Sequence, residues 1–286
     1  MLIIKGRNDM EIIEKHILGK NKDQSKCEDI IFHNEHFVAI IDGATSKSDY
    51  SFNGNSTGKQ AALLVEEALS LLTGKEDKKE TADFITQHIY NFYIQNDHLK
   101  RIEEEARNKC TASVIIYSVF HSEIWQFGDC HCLIDNEYHN ADKLIDFVTH
   151  SNRSIMVGAL LEKGYTVEEL LTNDLSREAI VPILNHQQYY QNIPNSESIY
   201  GYVCFDGFKI PVEDVPAIKV PKEATQIVLA SDGYPKLFNT LEESENYLSH
   251  VKENDPLCYK IYPSTKGFNF DLNSYDDRSY ISVKLK

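Results

Sequence analysis

The chain has 286 residues, 29 basic against 44 acidic, and a formal net charge of −15. Such a charge argues against a general nucleic-acid binder, which needs basic patches to displace phosphate counter-ions, and against docking on anionic membranes. With 42% hydrophobic and 26% charged residues, the composition is that of a globular domain large enough to build a core without a disulfide or metal staple.

The N-terminal MLIIKGRND has too few apolar residues before its charges to serve as a signal peptide. No apolar run approaches the about 18 residues of a membrane span. The six cysteines form no C-x-x-C pair, so they are expected to be reduced thiols of a cytoplasmic protein. Cys130 and Cys132 alternate with His131, but a zinc site there lacks two further ligands at finger-like spacing.

No internal repeat or linker divides the chain. Residues 30–41, IIFHNEHFVAII, predict two strands around the turn-prone His33-Asn34-Glu35. Residues 56–72 predict a helix capped by Ser56 or Thr57, with Ala61, Leu64, Val65, Ala68, Leu69 and Leu72 on its buried face. A second, longer helix is predicted over 81–107. Three strands follow, at 111–120, 122–129 and 131–136, and then a mainly helical stretch over 140–195. IYGYVCF and FKIPV flank Asp206-Gly207, which predicts a two-residue hairpin. TQIVLA (225–230) predicts a strand, 242–251 a helix, and RSYISVKL a final strand. Long runs of each type without strict alternation favour an α+β sandwich over a doubly wound sheet.

Three Asp-Gly pairs occur in different settings. Asp206-Gly207 reads as a turn. Asp42-Gly43 ends the apolar run FVAII, and Asp232-Gly233 ends QIVLAS. There a carboxylate is held where the backbone is rigid, a useful place for a catalytic or metal-binding group. Glu28-Asp29 precede one strand, Gly128-Asp129 follow another, and Asp276-Asp277 precede the last. Converging so many carboxylates is costly unless cations occupy the centre. Oxygen ligands without His or Cys would favour Mg²⁺ or Mn²⁺. His131, His150 and His186 read as structural or surface groups.

Four segments, in order, resemble the motifs of the protein phosphatase 2C family of metal-dependent Ser/Thr phosphatases. CEDIIFHNEHFVAIIDGATS is similar to the opening motif that ends in Asp-Gly. CTASVIIYSVFHSEIWQFGDCHCLID is similar to the Gly-Thr-Thr strand and Gly-Asp-Ser-Arg motif. IVLASDGYPKLF resembles the strand–Ser-Asp-Gly segment, and YDDRSYISVKL the terminal Asp-Asn strand. Together they identify the chain as a divergent bacterial-type member and span about residues 24 to 284.

The resemblance implies a single domain over 1–286, a four-layer α-β-β-α sandwich of two antiparallel sheets flanked by helices, with a divergent flap at about 140–200. It implies two ions of Mg²⁺ or Mn²⁺, with a third possible. The ligands would be Asp42, the Gly43 carbonyl, Asp232 and Asp276, with Asp129 and Asp232 supporting the third ion. Glu28, Asp29 and Asp277 would hold metal-bound waters. Asp277 stands at the family's Asn position, so Asp276 is favoured as the ligand, with a one-residue slip possible. The implied reaction is hydrolysis of phosphoserine or phosphothreonine in proteins by a metal-bridging hydroxide, with no protein nucleophile. A phosphoprotein substrate and a partner Ser/Thr kinase would follow.

The chain departs from the pattern in places. Gln24 stands where some members have a phosphate-binding Arg, leaving Lys22 or Lys26 as candidates without the bidentate fork. Ala44 stands where some have a general-acid His. Cys27 replaces an Asn, and Cys130 and His131 replace the residues after Asp129. Two other readings stay open: a non-catalytic binding or regulatory module on the same fold, and a phosphatase for a small phosphorylated metabolite.

Overall fold

The structure, a computed structural model, describes residues 10–45 and 48–286. The MLIIKGRND segment therefore lies outside the described residues. The chain enters in strand β1 (Met10–Leu18), then forms a hairpin of β2 (Asp29–His33) and β3 (Phe37–Gly43). The hairpin turn is held by Asn34, whose side-chain oxygen accepts from the His36 and Phe37 amides, each at 2.8 Å. The unbroken run FVAII belongs to a strand buried on both faces. Val38 and Ile40 face the opposite sheet, and Phe37, Ala39 and Ile41 face helices.

A small hairpin, β4 (Ser51–Phe52) with β5 (Asn55–Ser56), leads into helix α1 (Thr57–Leu71). Ser56 caps α1 by accepting from the Lys59 amide at 3.2 Å. Helix α2 (Lys78–Gln95) starts in a capping box of Asp77 and Glu80. The single helix predicted over 81–107 is in fact two. Asn96 ends α2, Asp97 adopts a positive φ of 57°, and a short α3 (Leu99–Glu104) resumes after it.

Strands β6 (Ala112–Ser118), β7 (Glu123–Phe127), β8 (His131–Ile134) and β9 (Glu137–His139) form a meander that crosses from one sheet to the other. The helical segment resolves into α4 (Leu144–Glu162), α5 (Val167–Thr172) and α6 (Leu175–His186). The hairpin predicted at Asp206-Gly207 does not form. Phe205 bridges to Ala112 of β6 instead of pairing with the residues after the turn. The Asp206 carboxylate is tied down by Lys109 at 2.8 Å and by Asn192 and the Phe208 amide at 3.0 Å. Strands β10 (Ala217–Lys219) and β11 (Gln226–Ala230), helix α7 (Leu241–Asn254) and strand β12 (Arg278–Leu285) complete the chain.

The strands make two antiparallel five-stranded sheets, β1-β12-β11-β8-β9 and β10-β7-β6-β3-β2. Their inner faces share a core that includes Ile40, Ile115, Tyr117, Ile227, Leu229 and Ile281. Cys130 and Cys132 are buried among the apolar side chains of this core. Helices α1 and α2 cover the outer face of the second sheet. On the first sheet's outer face, Val228, Ala230 and Tyr280 pack against Tyr234, Leu237 and Leu241, and α7 packs in turn on α4. The result is a four-layer α-β-β-α sandwich. Among the described residues no helix is long and apolar enough to cross a membrane.

Candidate active site

Strand ends gather the carboxylates at one end of the sandwich. Asp42 closes β3, lying opposite Asp29 of β2 and opposite Ser113 of β6. Asp232 follows β11, Asp276 and Asp277 lead into β12, and Asp129 lies between β7 and β8. The glycines after Asp42 and Asp232 permit close backbone approach. A Cβ at Gly43 would lie 2.4 Å from the Gly58 carbonyl oxygen of α1, and one at Gly233 would lie 2.0 Å from that of Asp277. Both glycines are thus required by packing of strand ends. Gly58 has the same structural duty: a Cβ there would lie 2.4 Å from the Ala44 carbonyl oxygen.

The carboxylates fall into two groups. In the first, lysines reach them from elsewhere in the chain. Lys20 lies 3.1 Å from Asp276 and 3.4 Å from both Glu28 and Asp277. Lys266 makes a second ion pair with Asp276. Lys143 lies 2.6 Å from Asp129. Burial pushes Asp276 up, but Lys266 and Lys20 outweigh it and bring it to about 2. Burial acts on Asp129 likewise, and Lys143 with Ser113 outweighs it, so its carboxyl lies below the usual range. Asp277 is buried and fully engaged: its oxygens accept from the Lys20 amide at 2.6 Å and the Glu28 amide at 3.1 Å. Glu28 is buried too and accepts from the Ser56 hydroxyl at 2.5 Å.

The second group is Asp29, Asp42 and Asp232. Among the described residues none of the three forms an ion pair. Burial raises Asp42 well above the carboxylate range, and the charges of Asp29, Asp232, Asp129 and Asp276 add to it. Burial, then Asp276 and Asp129, carry Asp232 to about 8. Asp29 accepts from Ser231 at 2.7 Å and Ser279 at 2.8 Å through one oxygen, and its other oxygen is buried without a partner. Burial carries it to about 7 against those two bonds.

Asp42, Asp129, Asp232 and Asp276 line one cavity of about 680 Å³. Asp276, and not its neighbour Asp277, faces this space. Lys143, Arg177 and Lys266 line the same cavity, the two lysines against Asp129 and Asp276, and the Arg177 guanidinium donates to the Thr265 carbonyl at 2.7 Å. Lys22 and Lys26 do not line the cavity. They are exposed around the turn Gln24–Lys26, which Asp23 caps on its solvent side. His131 lines the cavity, but its ring is bonded on both sides, to Tyr138 at 2.8 Å and the Ser231 carbonyl at 2.9 Å. Burial lowers it to about 4, so it is neutral and structural.

The donor set is all oxygen, as hard divalent cations require. Seven strand-end carboxylates meet three lysine ammonium groups in direct contact. With all seven ionised, as bound cations would make them, four negative charges are left over, the charge of two divalent cations, so the chemistry of the site fits such ions. Among the described residues, however, no group of three or more His, Cys, Asp or Glu side chains is placed to hold a metal. Asp276 is held by Lys20 and Lys266, and Asp129 by Lys143. These lysines, and the serines that bond Glu28, Asp29 and Asp129, escape a motif-based reading because they come from distant segments.

No protein-family model matches the sequence, and no curated protein matches it. Several solved structures are similar at low identity. The Mycobacterium tuberculosis serine/threonine phosphatase PstP is 14% identical, with a TM-score of 0.46 over 97% of this chain and 99% of that one. The Staphylococcus aureus serine/threonine phosphatase Stp1 is 16% identical, with a TM-score of 0.47 over 99% of this chain and 100% of that one. RsbX, solved in complex with magnesium, is 11% identical, with a TM-score of 0.44 over 97% of this chain and 100% of that one.

Proposed function

We propose that the chain is a Mg²⁺- or Mn²⁺-dependent phosphatase that hydrolyses phosphoserine or phosphothreonine in proteins. One observation carries this reading: Asp42, Asp129, Asp232 and Asp276, from four separate strand ends, line a single cavity whose carboxylates exceed their counter-ions. Asp42, the Gly43 carbonyl, Asp232 and Asp276 are the proposed ligands, with Glu28, Asp29 and Asp277 orienting them. Bound ions would supply the Lewis acidity that ionises water near neutral pH and neutralises phosphoryl charge.

The protein's own cations have a different task. Arg177 and Lys266, which line the cavity, the lysine in contact with Asp276, would hold phosphoryl oxygens in place of Lys22 or Lys26. Arg177 comes from α6, so the 140–200 segment acts as the wall of the substrate cleft within one phosphatase domain. A cytosolic setting and a partner Ser/Thr kinase complete the proposal. All six cysteines are free and buried, which suits a reducing compartment.

The test is hydrolysis of p-nitrophenyl phosphate and of a phosphothreonine peptide by purified, Mn²⁺-loaded protein. Both should proceed and both should stop with EDTA. Hydrolysis no faster than that of Asp232→Ala overturns the reading.

A further inference from the structure

We propose that Lys143 is a resident counter-ion standing where a further divalent cation would otherwise bind at Asp129, so that the acidic centre takes two divalent cations and not three. This rests on the metal-dependent reading above.

Both oxygens of Asp129 are already committed within the chain. One accepts from the Ser113 hydroxyl at 2.5 Å, and the other from the Lys143 ammonium at 2.6 Å. The lysine itself is enclosed, with its side chain 13% exposed. Its ammonium lies 3.7 Å from Asp146 and 4.9 Å from the Tyr202 ring centre, so three features of the wall converge on one charge. Its backbone is equally fixed. Lys143 is the capping residue of α4, and its carbonyl accepts from the Asp146 and Phe147 amides at 3.0 and 3.3 Å.

A lysine at a helix N-terminus opposes the helix dipole, and this one makes no side-chain capping bond. Its position is therefore explained by the carboxylates it meets and not by the helix it starts. A divalent cation at Asp129 would have to displace an ammonium held by two carboxylates and an aromatic face. Asp276 has competitors too, in Lys20 and Lys266, but an ion there would also be held by Asp42 and Asp232, and among the described residues neither of these forms an ion pair, although the charge of Lys266 reaches Asp232.

The experiment counts Mn²⁺ bound per chain by calorimetric titration of EDTA-stripped, desalted protein. We expect two ions for the wild type, two for Asp129→Asn, and three for Lys143→Met. Three ions in the wild type, falling to two in Asp129→Asn, overturns this inference and leaves the phosphatase reading standing. So does a Lys143→Met protein that folds and still binds two. Should Lys143→Met not fold, the wild type and Asp129→Asn decide the matter alone. A folded wild type that binds no ion overturns the phosphatase reading and this inference together.

Discussion

The two halves of the acidic centre solve the same electrostatic problem in opposite ways. Around Asp276, Asp277 and Glu28, lysine ammonium groups and backbone amides meet nearly every carboxylate oxygen. Around Asp42, Asp232 and Asp29, carboxylates face one another and are driven toward protonation. The paired half is neutralised by groups of the chain itself, and Asp276 would exchange a lysine for an ion only on binding it. The unpaired half carries an unfavourable charge that folding tolerates, which makes sense if a ligand of opposite charge relieves it.

The comparison breaks first at Asp42. Asp42→Ala should lower phosphatase activity by about a thousandfold or more, the consequence of losing several kcal/mol of charge stabilisation. It should also weaken Mn²⁺ binding in a titration. Yet the EDTA-treated variant should melt at the same temperature as the wild type or higher, because a repelled carboxylate is gone. A large fall in that melting temperature would show Asp42 to be a structural turn residue.

The paired half should respond in the opposite sense. Lys20→Met leaves Glu28, Asp276 and Asp277 facing one another, and removal of one partner from a recessed ionic cluster costs about 3–5 kcal/mol. Urea denaturation in EDTA measures this. A loss below about 1 kcal/mol, the value of a surface pair, would mean the lysine contributes little and the two halves do not differ.

The third prediction concerns pH in EDTA. A carboxyl raised in the folded state binds its proton more tightly there than in the unfolded chain. The resulting stability is fully present below pH about 4, the unfolded value, and is lost as pH rises through the folded values, about 7 for Asp29 and about 8 for Asp232. The metal-free protein should therefore melt progressively lower from pH 5 to pH 8, as thermal scans across that range would show. Saturating Mn²⁺ should flatten the slope. A metal-free melting temperature that rises over this range would remove the distinction between the halves.

How much of this was visible in the sequence depends on whether its cause was local. FVAII and QIVLAS end in Asp-Gly because strands buried on both faces read as unbroken apolar runs, so Asp42 and Asp232 could be placed at strand ends directly. The turn at Asn34 and the cap at Ser56 were equally legible, being set by neighbours three residues away. The break between α2 and α3 was missed because an Asp in a left-handed conformation carries no strong local signal. Asp206-Gly207 looked like a hairpin because its flanks alternate, but Phe205 found a partner in β6. Least legible were Lys20, Lys143 and Lys266. Lys20 meets a carboxylate 256 residues away, and no spacing rule in the chain announces such a pair.

The smallest effect separates the halves at the level of one hydroxyl. Ser231 donates to Asp29 at 2.7 Å, and Ser113 donates to Asp129 at 2.5 Å. Each bond to a charged acceptor is worth about 1.5–3 kcal/mol. Asp129 keeps Lys143 when Ser113 is truncated, whereas Asp29 keeps only Ser279 and already has one oxygen unpartnered. Ser231→Ala should therefore cost about 2 kcal/mol in EDTA at pH 8, and Ser113→Ala about half as much, with urea denaturation as the measure. At pH 5, where Asp29 holds its proton, the cost of Ser231→Ala should shrink, while that of Ser113→Ala should not, because Asp129 remains ionised below that pH. Equal costs at both pH values for both variants would mean that counter-charge, and not hydrogen bonding to an isolated carboxylate, governs both sites alike.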